Sequence, residues 1–227
     1  MSTVFLIHTS ASMIPVFKSL TTELLPGHQV VNMVDESLLC DIIRDGTCPP
    51  RTAKRLAGHV LSADEAGADV VLVTCSSMGR AVEAAAVLSR APALRVDQPM
   101  AAKAIATGKR IGVIATLPST LAPTVELIRR EAGRVGKEIA LAEQVVDGAF
   151  AAVIGGDGAT HDKLVGDAVR SMGRNVDVIV LAQASMARVV DALPPEDKPV
   201  PILSSPRLAI ENLAQIIQPQ RNEETVQ

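Results

Sequence analysis

A chain of 227 residues, almost half of them hydrophobic, is long enough for one large domain or two lobes, each with its own core. Its formal net charge of −3 is close to balance, which argues against partners such as nucleic acid or an anionic membrane surface. No apolar run reaches the roughly 18 residues that a membrane span needs.

The chain enters a strand-like run directly after Met1-Ser2-Thr3, with no basic segment before it, so no signal peptide is expected. Strands are predicted at Val4–Ile7, Val30–Val34, Val70–Thr74 and Leu94–Val96, then at Ile111–Ala115, Ile139–Ala142, Val176–Leu181 and Val200–Leu203. Helical patterns fall at Met13–Leu25, Arg51–Ala66, Met78–Arg90, Pro99–Thr107 and Ala122–Val135. They continue at Asp147–Ile154, Asp162–Met172, Met186–Ala192 and Pro206–Ile217. Pro99 and Pro206 suit a first helical turn. Asp35–Pro50 reads as a longer loop that covers a site, and Gln218–Gln227 as a frayed polar end. Strands alternating with helices, the strands continuously apolar, predict parallel α/β architecture with helices on both faces.

The chain repeats itself. Asp69-Val70-Val71-Leu72-Val73-Thr74-Cys75-Ser76-Ser77-Met78-Gly79-Arg80 returns 108 residues later as Asp177-Val178-Ile179-Val180-Leu181-Ala182-Gln183-Ala184-Ser185-Met186-Ala187-Arg188. Val4–Thr9 is answered 107 residues later by Ile111–Thr116. A period this long implies two similar Rossmann-like lobes facing each other across a cleft, not a solenoid. The expected division is 1–97 plus 206–222 for the first lobe, 98–205 for the second, and 223–227 for a polar tail. Ligands of open parallel sheets sit at the C-terminal strand ends. Those ends carry His8-Thr9-Ser10, Cys75-Ser76-Ser77, Thr116 and Gln183-Ala184-Ser185.

Cys75 follows a strand and precedes a helix, where free N–H groups and the helix dipole favour the reactive thiolate. A small buried core cysteine is an equal reading. Cys40, Cys48 and Cys75 are an odd set without a CxxC pair, which points to no disulfide framework, no metal site and a reducing cytoplasmic setting. The Ser76 and Ser77 hydroxyls, with nearby N–H groups, suit a carboxylate or developing enolate. Gln183 stands where the repeat requires Cys75's counterpart, and it can only hydrogen-bond. Thr9 is repeated by Thr116 and Ser77 by Ser185, though single strand-end hydroxyls often only cap helices. His8 is the candidate second proton carrier, with a structural histidine as the slightly favoured alternative. His28, His59 and His161 read as surface residues. Gly155-Gly156-Asp157-Gly158 reads as a helix stop, and no GxGxxG or GxxxxGK[ST] pattern points to a nucleotide. With Phe5, Phe17 and Phe150 the only aromatics, a pocket that stacks aromatic ligands is not expected.

Val71–Ser77, Ile111–Thr120 and Val180–Met186 together resemble the aspartate/glutamate/hydantoin racemase superfamily, over roughly Val4 to Leu213. The resemblance implies two pseudo-symmetric α/β lobes, an active site between them, no metal and no organic cofactor. It implies a small carboxylate substrate, contacted by Thr9, Ser76, Ser77, Thr116, Ser119, Thr120, Gln183, Ala184 and Ser185, and a homo-oligomer, dimer or higher. Members typically carry one cysteine per lobe. Here the first is Cys75 and the second position is Gln183, so two-thiol racemisation is not expected. The implied activity is that of a cofactor-independent isomerase or lyase working on an aliphatic carboxylate through Cys75. The alternatives are a racemase with a non-cysteine second acid/base, or a ligand-binding member without catalysis. Among related enzymes, arylmalonate decarboxylases keep only the second-lobe thiol, the reverse of this chain, and maleate isomerases use a first-lobe cysteine as nucleophile while also carrying one in the second lobe.

Overall fold

The computed structural model describes residues 1–217. The expected frayed end, and the part of the first lobe assigned to 218–222, lie outside the described residues. Eight strands form two four-stranded parallel sheets. The first contains β1 (Thr3–His8), β2 (Gln29–Val34), β3 (Val70–Val73) and β4 (Ala93–Arg95), in the order β2-β1-β3-β4. The second contains β5 (Arg110–Ala115), β6 (Ala140–Val145), β7 (Val178–Leu181) and β8 (Ile202–Ser204), in the order β6-β5-β7-β8. The two orders are the same topology used twice. Each sheet has helices on both faces, giving two Rossmann-like α/β lobes.

The continuous apolar runs are explained by the side-chain period of 2. Phe5, Ile7, Val71 and Val73 point into one core, beneath α2 (Glu36–Asp45), α3 (Pro50–Glu65) and α4 (Gly79–Ala86). Their neighbours Val4, Leu6, Val70 and Leu72 point into the opposite core. There they meet Phe17 of α1 (Ile14–Leu24) and Ala209, Ile210 and Leu213 of α10 (Ser205–Ile217). The chain's last described helix therefore packs on the first sheet. In the second lobe, Ile111, Val113, Val178 and Val180 pack with α5 (Gln98–Thr107) and α6 (Pro118–Arg134). Ile114, Ile179 and Leu181 pack with α7 (Ala149–Ile154), α8 (Gly158–Met172) and α9 (Ala187–Ala192). Each fully buried aliphatic side chain contributes about 1.5–3 kcal/mol relative to exposure.

One aspartate per lobe fixes the start of the central strands. Asp69 accepts the Thr3 backbone N–H at 2.7 Å. Asp177 accepts those of Lys109 and Arg110 at 3.0 and 2.8 Å, and the Arg110 guanidinium bonds its other oxygen. The Arg110 backbone N–H, the Arg110 side chain and the Lys109 N–H together hold the Asp177 carboxyl down to about 2.

Several boundaries differ from the sequence reading. Asp35–Pro50 is not a loop: it contains α2. Asp35 caps that helix by accepting the Ser37 N–H at 3.1 Å, Arg44 lies in its last turn, and Gly46 ends it in the left-handed region at φ 70°. Its apolar residues, Leu38, Leu39, Cys40, Ile42 and Ile43, fall at helical spacing. The helices after β3 and β7 do not begin at Met78 and Met186. Short 3-10 turns at Ser76–Met78 and Ala184–Met186 come first. α8 begins at Gly158 instead of Asp162, because Asp157 caps it through the Thr160 N–H at 3.0 Å. His161 is fully buried and not a surface residue; its Nδ1 pairs with Asp162 at 2.8 Å.

Charged pairs join α4 to α6 across the lobes. Arg80 pairs with Glu126, and Arg130 bonds Glu83. Glu83 also receives the buried Arg95 at 2.6 Å, whose guanidinium forks onto the buried Asp97 at 2.7 and 2.8 Å. No helix among the described residues is long and apolar enough to cross a membrane.

Candidate active site

In each sheet the strand order reverses beside the central pair, β1/β3 and β5/β7, and the crevice opens at their C-terminal ends. The two crevices form one cleft of about 530 Å³, lined by residues of both lobes.

Cys75 and Gln183 occupy equivalent places at that cleft. Each follows its strand, adopts extended backbone (φ −116°, ψ 112° and φ −123°, ψ 135°) and precedes a 3-10 turn. Each is served by the matching threonine. Thr9 hydrogen-bonds the Cys75 sulfur. Thr116 holds Gln183 Oε1 twice, through its backbone N–H at 2.5 Å and its hydroxyl at 2.9 Å. With Oε1 occupied, the two N–H donors of the Gln183 amide remain for the cleft.

Cys75 is half-buried. Burial pushes its thiol above the ordinary cysteine range, against the pull of hydrogen bonds from the Thr9 hydroxyl, the Ser77 N–H and hydroxyl, and the Met78 N–H. The sequence argument foresaw those N–H groups and expected the thiolate to win. In the folded chain desolvation is the larger effect and works against the thiolate.

Two hydroxyls lock the turn across the lobes. Ser76 Oγ donates to the Ala182 carbonyl at 2.8 Å, and Ser77 Oγ lies 3.1 Å from Thr120 Oγ1. Thr9, Ser76, Ser77, Thr120, Gln183, Ala184 and Ser185 line the cleft together with Cys75. Thr116 and Ser119 are buried and lie outside its wall. Thr116 acts on the cleft only through Gln183.

His8 is fully buried and does not line the cleft. Its Nδ1 lies 2.9 Å from Thr74 Oγ1 and its Nε2 2.9 Å from Asn32 Oδ1. A neutral ring with Nε2–H donating to Asn32 and Nδ1 accepting from Thr74 satisfies both contacts. Phe17 packs on the ring with centroids 5.5 Å apart. Burial lowers its pKa, against the bond to Asn32. Both ring nitrogens are engaged behind the wall, the arrangement of a structural histidine.

Asp35–Pro50 was expected to cover the site and does so, as a helix; the α7 side of the outer wall was not foreseen. Glu36, Leu39, Cys40 and Ile43 of α2 line the cleft, opposite Phe150, Val153 and Ile154 of α7. Their spacing of three and four residues was the available signal. The titratable side chains in the lining are Cys75, Cys40 and Glu36. Among the described residues no group of three or more His, Cys, Asp or Glu is placed to hold a metal ion.

The family model for Asp/Glu/hydantoin racemases matches residues 4–213. The chain belongs to that racemase family. Solved structures agree in fold at low sequence identity. Aspartate racemase from Picrophilus torridus superposes with a TM-score of 0.72 at 13% identity, covering 95% of each chain. Allantoin racemase from Klebsiella pneumoniae gives 0.69 at 17%, covering 95% of this chain and 87% of its own. A glutamate racemase from Bacillus anthracis gives 0.68 at 18%, covering 96% and 82%. A sequence search of curated proteins gives no match. The cleft of this racemase-family member carries a thiol on one turn and an amide on the other.

Proposed function

We propose that this racemase-family chain is an isomerase or lyase that acts on a small aliphatic carboxylate with its own side chains alone, Cys75 being the single reacting thiol. The observation that carries the reading is the pair of superimposable turns, one ending in a thiol and the other in an amide held by Thr116. A thiol can give or take a proton; an amide can only bind. The chemistry is therefore one-sided. The carboxylate, and the enolate formed from it, take the Gln183 N–H donors and the hydroxyls around the Cys75 turn.

A desolvated thiol is suited to proton donation. In the lyase form, the bond from Cα to a departing carboxylate breaks, its electron pair stays as the enolate, and the Cys75 S–H delivers the proton. Carbon dioxide leaves and the thiolate is reprotonated from solvent. In the isomerase form, Cys75 gives its proton to solvent, the thiolate adds to a double bond conjugated with the carboxylate, the new single bond rotates in the enolate, and expulsion of the thiolate restores the double bond in the other geometry.

Racemisation is the second reading, supported by family membership and by neighbours named as racemases of aspartate, glutamate and allantoin. It requires a second acid on the opposite face. With His8 behind the wall, Glu36 and Cys40 are the groups in the lining that would have to act. A binding role without catalysis predicts no turnover at all.

Proton exchange in D2O, followed by NMR, separates these readings. Wild type and Cys75→Ala are incubated with amino acids, hydroxy acids, malonates and unsaturated diacids. Cys75-dependent deuterium uptake with retained configuration, or a new product, supports the single-thiol reading. Uptake with inversion supports a racemase. Absence of both across the panel leaves a binding role as the reading.

A further inference from the structure

The inner end of the cleft is polar and the outer wall is not. Leu39 and Ile43 of α2 share one helix face, as Phe150, Val153 and Ile154 share one face of α7. The two helices hold matching places in their lobes, each following the edge strand beside the central pair. Ile43 and Ile154 are 42% and 68% exposed, so this apolar surface is left open at the mouth and not packed away in either core. Among the described residues the lining contains no Lys, Arg or His. Its one charged side chain is Glu36, exposed at the start of α2, with one oxygen accepting the Ala11 N–H at 2.9 Å.

We propose that α2 and α7 form a specificity wall that accepts an uncharged apolar substituent and rejects a second carboxylate. The inference rests on the reading of the Cys75 end as the carboxylate site. One carboxylate finds N–H and hydroxyl donors there. A second, pointing outward, would lose water against aliphatic side chains with no cation to pair it, and would meet the negative field of Glu36. A methyl or short alkyl end loses nothing and covers the exposed Ile43 and Ile154. The class selected carries an aliphatic tail, not a carboxylate, at the end that faces α2 and α7.

The test uses binding, so it does not need the natural substrate. The three cysteines fall on different tryptic peptides, ending at Arg44, Arg51 and Arg80, so mass spectrometry follows iodoacetamide labelling of Cys75 in the wild-type chain. Labelling at pH 9 is run with pentanoate or glutarate, which have the same carbon count and differ at the far end. Pentanoate is expected to protect Cys75 at a concentration at least 10-fold below that needed for glutarate. Ile43→Arg and Ile154→Arg, at positions open to solvent, are each expected to bring glutarate to parity or better. Equal or stronger protection by glutarate in wild type overturns the wall and leaves the Cys75 reading intact. Arginine variants that do not improve glutarate overturn the assignment to α2 and α7. A Cys75 that neither acid protects, or that takes no label, removes the carboxylate reading and this inference with it.

Discussion

The turn at Cys75 and the turn at Gln183 share a backbone, a supporting threonine and a place on the cleft, yet their surroundings are built differently. Behind Cys75 stand polar groups: buried Thr74 and His8, with His8 bonded in turn to Asn32 at the surface. At the matching positions behind Gln183 stand Ala182 and Ala115, both buried and apolar. After the first turn comes Gly79, and after the second Ala187. The glycine is needed because a Cβ there would overlap the Arg95 guanidinium, which Asp97 and Glu83 hold in place. The Cys75 turn is thus braced from behind and below, and the Gln183 turn is held mainly through its own side chain. Duplicated backbones supply equal positions; the chemistry is assigned by what packs around each.

The largest effect should come from breaking the thiol side. Cys75→Ala is expected to lower turnover by about 10³-fold or more, measured by deuterium exchange with the fold checked by circular dichroism. Gln183→Cys makes the turns chemically alike and is expected to add exchange with inversion, read by chiral chromatography. If no inversion follows, the two turns do not address opposite faces of one carbon. Gln183→Leu removes the N–H donors and should cost about 10²-fold in kcat, as loss of an oxyanion donor does.

The two threonines should separate. Thr9→Val removes a bond that favours the thiolate, so the pH midpoint of Cys75 alkylation should move upward. Thr116→Val should leave that midpoint in place and lower kcat about 10-fold, because Gln183 loses one of two restraints at about 1 kcal/mol each. A shift of the Cys75 midpoint in Thr116→Val would contradict the separation.

Stability should follow the same asymmetry. Gly79→Ala is expected to destabilise by about 1–3 kcal/mol through overpacking on Arg95. Ala187→Gly should cost only about 0.5–1 kcal/mol of helix entropy. Urea unfolding compares the two, and equal losses would remove the bracing role of Arg95. The smallest effect is the pH response of His8. Its folded pKa lies below the ordinary 6.5, so the unfolded chain binds the proton more readily. The His8 contribution is complete above 6.5 and declines as pH falls below it. In His8→Leu that part of the acid-side slope should disappear, while the lost hydrogen bonds lower stability at every pH.

Much of the fold was legible because parallel strands covered on both faces must be continuously apolar, and Val4–Ile7, Val70–Val73, Ile111–Ala115 and Val178–Leu181 are. α2 was not read as a helix, although its apolar residues fall at helical spacing and Asp35 and Gly46 were valid cap signals. Cys75, Gln183 and the hydroxyls around them were readable because strand ends at a topological switch point must face the crevice. For His8 the sequence left two roles open, with the structural one slightly favoured. His8 also ends a central strand, but it lies one residue before Thr9 and so on the other side of the pleat, pointing into the layer with Phe17.

The sequence by itself determined the two-lobed architecture, the repeat and the replacement of one thiol by an amide, since each is a matter of residue type and period. Tertiary structure alone decided the surroundings of Cys75, the burial of His8, the hold of Thr116 on Gln183 and the apolar wall of α2 and α7. Those depend on desolvation and on contacts between segments far apart in the chain, which no local pattern encodes.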